Sequence, residues 1–177
     1  MKKKYIKKEL DVSGKTLTFE INKVAPQASA SVIARYGDTE VMVAVMMGAE
    51  KPMNDGGVPL TIDFVERLYA GGILKGSRWV KREGRPTDES ILTDRLIDRS
   101  VRPLFPKDLA NEVQIVVTLL STDNANDHDV LAMNAVSVAL AVSNIPWHGP
   151  IGAVRVGYIS KDDAGFVVNP TYTEMDF

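Results

Sequence analysis

Residues 130–142, from Val130 to Val142, are apolar on nearly every side of the helix that they would form. A helix of this kind is buried on most of its surface, whereas a helix at the edge of a domain keeps one polar face. Burial on that scale requires a sheet or a second layer of helices to cover it. The rest of the chain therefore has to supply that layer.

The rest of the chain contains mostly strand-like segments. Runs of apolar and alternating residues predict strands over 5–10, 17–21, 32–36, 41–47, 60–65, 113–120, 151–159 and 166–168. The Gly37-Asp38 pair between two of these runs favours a tight β-hairpin. A helix is predicted from Asp88 to Arg102, because Thr87 can cap its start and Pro103 stops it. We expect one α+β domain over residues 1–177, a mixed sheet with helices packed on it.

The composition narrows the possible functions. The chain has 177 residues, a net charge of −2, a sequence pI of about 5.7 and no cysteine. The absence of cysteine excludes disulfides, thiolate zinc sites and a cysteine nucleophile. We expect a cytoplasmic protein that is not inserted in a membrane, because no apolar stretch approaches about 18 residues. An acidic chain can bind nucleic acid only through a local basic patch.

Such a patch lies between Lys75 and Arg85. Five basic residues stand there against Glu83 alone; they are Lys75, Arg78, Lys81, Arg82 and Arg85. Trp79 adds a ring on which a base can stack, and four nearby glycines make the backbone flexible. The pattern predicts a long loop that binds single-stranded RNA through Arg78, Trp79, Lys81, Arg82 and Arg85. A solvated loop that Trp79 merely anchors to the domain is the alternative.

A second candidate is the arginine series of the predicted helix. Arg95, Arg99 and Arg102 follow one another at positions i, i+4 and i+7, so they share one helical face. Planar guanidinium groups can each hold a phosphate through two hydrogen bonds. In the alternative interpretation, Asp94 and Asp98 neutralise these arginines in ion pairs on the helix surface.

The segment TDNANDHDVLAMNA at residues 122–135 precedes and enters the apolar helix. His128 lies between Asp127 and Asp129, which suggests a metal site, but the spacing matches no known ligand pattern. We therefore expect no metal site in this chain. His148 occupies a proline-bounded connector and has no partners of a Ser-His-Asp hydrolase.

Four stretches carry a resemblance to a known family. They are ARYGDTEVMVAV (34–45), KREGRP (81–86), LTDRLIDRSVRPLFP (92–106) and NIPWHGPIGAVRVGYI (144–159). In sequence and spacing they resemble the first core domain of the polynucleotide phosphorylases, from about Tyr5 to the end of the chain. The resemblance implies a ribonuclease-PH-like fold of the ribosomal-protein-S5-domain-2-like type. It also implies that the chain is a fragment of a longer enzyme.

The family resemblance further implies a function. Enzymes of this family form homotrimeric rings and degrade RNA from the 3′ end with inorganic phosphate, in mRNA turnover together with other RNA-degradation proteins. Their second core domain holds the phosphate pocket and Mg²⁺. In this chain Asp127, His128 and Asp129 replace the serines of that pocket, and carboxylates repel phosphate. The first core domain is thus expected to be non-catalytic and to guide RNA, while Arg95, Arg99 and Arg102 complete the neighbouring active site.

One departure from the family pattern concerns the basic loop. The family has two aromatic residues before its basic pair, whereas this chain has Trp79-Val80 before Lys81-Arg82. Two other functions stay open: a catalytically inert RNA-binding or ring-scaffold protein, like the non-catalytic subunits of exosome rings, and an active stand-alone ribonuclease PH.

Overall fold

The computed structural model describes residues 4–50, 57–73, 85–159 and 165–175. Six strands form one sheet in the order β1-β2-β3-β4-β6-β5. Their bounds are β1 Ile6–Val12, β2 Lys15–Ile21, β3 Ala30–Tyr36, β4 Thr39–Glu50, β5 Leu60–Glu66 and β6 Asn111–Ser121. All neighbours are antiparallel except β5 and β6, which run parallel. The expected mixed sheet is therefore confirmed.

The remaining elements are helices and one hairpin. The α-helices are α1 Asp88–Val101, α2 His128–Val142 and the single-turn α3 Tyr172–Met175, and short 3₁₀ turns cover Leu68–Gly71 and Arg102–Leu104. Strands β7 Val156–Ile159 and β8 Gly165–Val168 pair with each other in a separate two-stranded sheet. No described helix combines the length and the hydropathy needed to cross a membrane.

Helix α2 forms the centre of the hydrophobic core. It packs on β3 and β4, whose inward side chains Val32, Val43 and Val45 are fully buried. Alanines at 132, 135 and 139 are also fully buried, and their small size allows the helix to approach the sheet closely. The nearly all-round apolar character of residues 130–142 is thus explained by burial against the sheet, as predicted.

Helix α1 is fixed to β5 at its start and to a tryptophan at its end. The Thr87 hydroxyl accepts a hydrogen bond from the Ser90 backbone N–H at 3.0 Å, which is the predicted cap. Ser90 donates its own hydroxyl to the Phe64 carbonyl at 2.6 Å. At the other end, Trp147 Nε1 donates to the Val101 carbonyl at 3.1 Å. These contacts leave the opposite face of α1 exposed.

The β3–β4 turn is tied to the loop that precedes α2. Gly37 adopts a φ of 62°, and a side chain there would meet Asp123 and Asn126. The Asp123 carboxylate accepts hydrogen bonds from the backbone N–H groups of Asp38, Ala125 and Asn126. Burial opposes ionisation of Asp123, but these hydrogen bonds outweigh it and hold the pKa well below its usual range.

The predicted strand at Ile151–Ile159 is shorter in the structure, where β7 begins at Val156. Residues 151–153 bind side chains of α2 instead of a strand. Ile151 N–H donates to Ser137 Oγ at 2.9 Å, and Asn134 exchanges hydrogen bonds with the Ala153 backbone at 2.8 and 2.9 Å. An extended segment along a helix alternates apolar and polar residues as a strand does, so the pattern could not distinguish the two.

Candidate nucleic-acid interface

Two of the three predicted helix arginines lie on the exposed face of α1. Arg95 and Arg99 are both exposed, on the side opposite the buried residues Thr93, Ile97 and Val101. Within the part of the chain that the structure describes, neither guanidinium has an ion-pair or hydrogen-bond partner. Both are thus available to an external anion.

Arg102 differs from the other two arginines. Its Nε donates to Asp98 at 2.9 Å and its Nη2 to Asp98 at 2.6 Å, so the predicted i, i+4 ion pair is confirmed for these two residues. Nη1 and Nη2 also donate to the carbonyls of Val58 and Leu60, at 2.9 and 3.1 Å. Arg102 therefore fastens the end of α1 to the start of β5. Its role in an active site stays a prediction.

Asp94 does not neutralise the arginines, so this part of the ion-pair interpretation is wrong. Its carboxylate turns inward and accepts a hydrogen bond from the Phe64 backbone N–H. Burial raises the pKa of Asp94 to about 6, against the opposing effect of that hydrogen bond. Asp94 therefore joins α1 to β5 and does not compensate the charge of neighbouring Arg95.

The acidic turn before α2 carries an ion pair that the sequence did not reveal. Asp127, at the N-cap of α2, is almost fully buried and forms an ion pair with Arg155. Arg155 Nη2 also donates to the Asp129 carboxylate at 2.7 Å. No sequence pattern connects Arg155 with residues so far upstream.

The pKa values of this cluster reflect its burial. Burial, with the nearby Asp129 carboxylate, raises the pKa of Asp127 even though Arg155 opposes the shift. Burial and the same acidic groups raise the pKa of Tyr172 to about 12. The N-terminus of α2, where an anion would ordinarily bind, is occupied by the protein's own carboxylates.

His128 makes packing contacts. Its ring stacks on Phe64 with centroids 5.5 Å apart, and Nε2 lies 3.8 Å from Glu66 Oε1. The other oxygen of Glu66 accepts a hydrogen bond from the Thr87 hydroxyl at 2.7 Å. His128 thus links α2 to β5 and the start of α1. Among the described residues, no group of three or more histidine and acidic side chains could hold a metal ion.

The predicted RNA-binding loop is described only at its end. Arg85 is exposed two residues before the Thr87 cap of α1. Arg78, Trp79, Lys81 and Arg82 lie outside the described residues. Because Arg85 is so close to the first turn of α1, the end of the loop and the arginine-bearing helix are consecutive along the chain.

The fold is similar to that of solved exosome subunits. The structure titled rice (Oryza sativa) Rrp46 superposes with a TM-score of 0.67 over 90% of this chain and 70% of that chain, at 15% identity. The Archaeoglobus fulgidus exosome with RNA bound to the active site superposes with a TM-score of 0.61 over 89% of this chain and 67% of the other, at 19% identity. At these identities the likeness shows the fold alone, and it agrees with the expected ribonuclease-PH-like domain.

Sequence relatives are much closer. The chain is 48% identical over 174 residues to a polyribonucleotide nucleotidyltransferase of Acidiphilium cryptum, and 49% identical over 168 residues to that of Thermus thermophilus. These alignments cover 97% and 95% of this chain but only 23% of either relative. The model described as "3′ exoribonuclease family, domain 1" matches residues 13–146. The chain therefore belongs to the 3′ exoribonuclease family and corresponds to its domain 1.

Proposed function

We propose that this chain is the RNA-guiding, non-catalytic first core domain of a polyribonucleotide nucleotidyltransferase, an enzyme that degrades RNA from its 3′ end by phosphorolysis. Close relatives carry that name, and they are about four times as long as the aligned region. The observation that supports a non-catalytic role for this domain is the ion pair of Asp127 with Arg155 at the start of α2.

That ion pair closes the position where a phosphate would bind in this domain. An incoming phosphate would meet the Asp127 and Asp129 carboxylates, and Arg155 is already engaged by both. Like charges at such short range cost several kcal/mol in a partly buried site. The phosphate co-substrate is therefore expected to bind in another domain of the enzyme.

Arg95 and Arg99 are the side chains through which this domain contributes to the reaction. In phosphorolysis an oxygen of inorganic phosphate bonds to the phosphorus of the terminal RNA linkage. The bond from that phosphorus to the 3′ oxygen breaks, and the terminal nucleotide leaves as a diphosphate. Guanidinium groups that bind the RNA backbone beside this phosphorus hold it in position and offset its negative charge. Neither arginine needs to transfer a proton.

The basic loop supplies the approach to that site. Arg78, Lys81, Arg82 and Arg85 would neutralise successive phosphates of single-stranded RNA, and Trp79 would stack on a base. A short cluster of positive charge localises the RNA path, because the chain as a whole carries a net charge of −2. The loop continues into α1, so RNA that follows it arrives at Arg95 and Arg99.

The assembly and its cofactor follow the same proposal. The enzyme would be a cytoplasmic homotrimer that acts in mRNA degradation, in contact with other RNA-degradation proteins. The Mg²⁺ ion of the enzyme would be held by the second core domain. There it would offset the negative charge that builds up on the phosphates as they react.

The decisive experiment compares the intact enzyme with the 177-residue chain. With RNA, phosphate and Mg²⁺, the intact enzyme should release nucleoside diphosphates, and the chain alone should release none. Phosphorolysis by the chain alone would place catalysis in this domain. Nucleoside monophosphates as the product would identify a hydrolase. RNA binding by the intact protein without any product would favour a ring-scaffold protein.

A further inference from the structure

A cavity of 140 Å³ lies between the first turns of α2 and strands β1, β2 and β3. Its apolar walls are formed by four aliphatic side chains, those of Val12, Leu17, Val130 and Leu131. Gly152 lines the cavity and is exposed, so the cavity opens to solvent there. A protein cavity of about 150 Å³ holds one benzene molecule. The space is therefore large enough for a ligand built on one ring or on a short alkyl chain.

The cavity also contains a buried carboxylate. The Asp127 side chain lines it and is only 9% exposed. Arg155 forms an ion pair with Asp127 Oδ2, but this buried oxygen accepts no hydrogen bond within the described structure. The Asn134 amide in the cavity wall is by contrast satisfied, because it exchanges hydrogen bonds with the Ala153 backbone. Asp127 is therefore the group that can still accept a hydrogen bond from a ligand.

The charges around this carboxylate do not sum to zero. Asp127 and Asp129 supply two negative charges, and Arg155, which contacts both, supplies one positive charge. Lys15, a cation of β2, donates instead to Asn126 at 2.9 Å. One negative charge therefore remains in a partly buried cluster. The raised pKa of Asp127 agrees with this, because burial and the Asp129 carboxylate both oppose its ionisation.

We propose that this cavity binds a small organic cation, a primary ammonium group on an apolar body of about the size of one ring. The ammonium donates a hydrogen bond to Asp127 Oδ2 and balances the remaining negative charge. The apolar body displaces water from the aliphatic walls. The site is separate from the RNA path proposed above, and the inference does not rest on that function.

Other classes of ligand do not match the cavity. The carboxylates of Asp127 and Asp129 would repel an anion. A metal ion needs several oxygen or nitrogen ligands, and the described residues include no group of three or more histidine and acidic side chains that could hold one. A neutral apolar ligand would remove water from the carboxylate without replacing its hydrogen bonds. An ammonium group on an apolar body satisfies both the carboxylate and the walls.

Benzylamine is the probe for this site, because it joins an ammonium group to a single ring. In calorimetric titrations of the intact enzyme, benzylamine should bind about tenfold or more tightly than benzyl alcohol, which has the same shape without the charge. Benzoate, an anion of similar size, should not bind. Equal affinities for the amine and the alcohol would overturn the proposal. So would the absence of benzylamine binding, whether the cavity holds only water or another segment of the enzyme.

Hydrogen exchange can locate the bound probe in the unaltered protein. The backbone N–H groups of Ile151 and Ala153 donate to Ser137 and Asn134 of α2, beside the cavity. A ligand that contacts both α2 and this segment should slow the exchange of these two amides about threefold or more. Bound benzylamine that leaves their exchange unchanged would place the probe elsewhere and overturn the site.

Two substitutions test the walls and the charge separately. Val130→Phe places a ring in the cavity and should weaken benzylamine binding about tenfold or more, whereas Val142→Phe, the same change at an exposed position on α2, should not. Asp127→Asn keeps the side-chain shape but removes the charge, so it should weaken benzylamine binding about tenfold and leave benzyl alcohol binding unchanged. Full benzylamine affinity in either the Val130→Phe or the Asp127→Asn enzyme would overturn the proposal.

Discussion

Arg155 Nη2 lies 2.7 Å from an Asp129 carboxylate oxygen, across 26 positions of the sequence. The same guanidinium forms an ion pair with Asp127, whose side chain is almost fully buried. One arginine therefore compensates two carboxylates at the start of α2 and joins the segment before β7 to the core.

Removal of this arginine should destabilise the chain. Arg155→Ala leaves the buried Asp127 carboxylate without a cation, and we expect the free energy of unfolding to fall by roughly 1–3 kcal/mol. The loss should be larger at pH 7.5 than at pH 4.5, because protonation removes the uncompensated charge. Urea denaturation at both pH values measures it. Arg35→Ala, which breaks an exposed pair with Glu40, is the control; an equal loss in both variants would contradict the role of Arg155.

Asp94 should make stability depend on pH. Its pKa is raised to about 6 in the folded chain, so the folded state holds this proton more tightly than the unfolded state. The contribution to stability is therefore complete below pH 4 and declines as pH rises through 6. Asp94→Asn keeps an acceptor for the Phe64 N–H but cannot ionise. Between pH 4.5 and 7.5 the free energy of unfolding of Asp94→Asn should rise by about 1 kcal/mol relative to that of the parent chain. This value is smaller than the full pKa shift implies, because Asp94 is partly exposed and solvent screens its charge. Asp98→Asn should show no such gain, since it loses the pair with Arg102.

Gly149 lies against the tryptophan that closes α1. A β-carbon at this position would overlap the Trp147 ring. Gly149→Ala should therefore displace Trp147 from the Val101 carbonyl and lower stability by about 1–3 kcal/mol. Gly152→Ala is the matched control, because nothing lies within 4 Å of its β-carbon. Comparable melting temperatures for the two variants would show that Trp147 can move without loss of stability.

Substitutions of the α1 arginines in the intact enzyme should affect either activity or thermal stability, depending on the residue. Arg95→Ala and Arg99→Ala should each lower phosphorolysis on the order of 10²-fold. Their melting temperatures should change little, because neither side chain has a partner within the described structure. Arg102→Ala should lower the melting temperature, since it removes the Asp98 pair and two hydrogen bonds to carbonyls. Full activity of both Arg95→Ala and Arg99→Ala would remove these residues from the reaction.

The basic loop should determine how RNA binding responds to salt. Each phosphate contact on a single strand contributes about 0.7 to the slope of log affinity against log salt concentration. Lys81→Ala with Arg82→Ala should therefore weaken binding of single-stranded RNA and lower the slope by about 1.4. Lys7→Ala with Lys107→Ala removes the same charge elsewhere and should leave the slope unchanged. If the control lowers the slope as much as the loop variant, the RNA path does not follow the loop.

Local sequence signals predicted most of the sheet and both long helices. The Gly37-Asp38 turn and the Thr87 cap are examples, because each depends on a few adjacent residues whose backbone preferences are strong. The parallel pairing of β5 with β6 could not be predicted in this way, since it joins strands separated by a long crossover. Side-chain partners across the fold, such as Arg155 with Asp127, had no local signal either.

For the candidate site, the sequence predicted which residues lie on α1 but not how each is used. The sequence does not distinguish the charged side chains of Asp94, Asp98 and Arg102 from one another. In the structure, Asp94 accepts a hydrogen bond from the Phe64 backbone, whereas Asp98 forms an ion pair with Arg102. The difference arises from β5, which packs beside α1 only in the folded chain. Periodicity locates a face, whereas the choice of partners is made by tertiary packing.

The basic loop and α1 both lie in the one connection between the parallel neighbours β5 and β6. The chain leaves at Glu66 and returns at Asn111, beside the strand that it left. Because the entropy of closing a loop rises only slowly with length, insertions or deletions between Gly72 and Arg85 should leave the strand pairing intact. Evolution, or a protein engineer, can therefore alter the length and sequence of the segment that we propose to bind RNA, while the sheet stays the same.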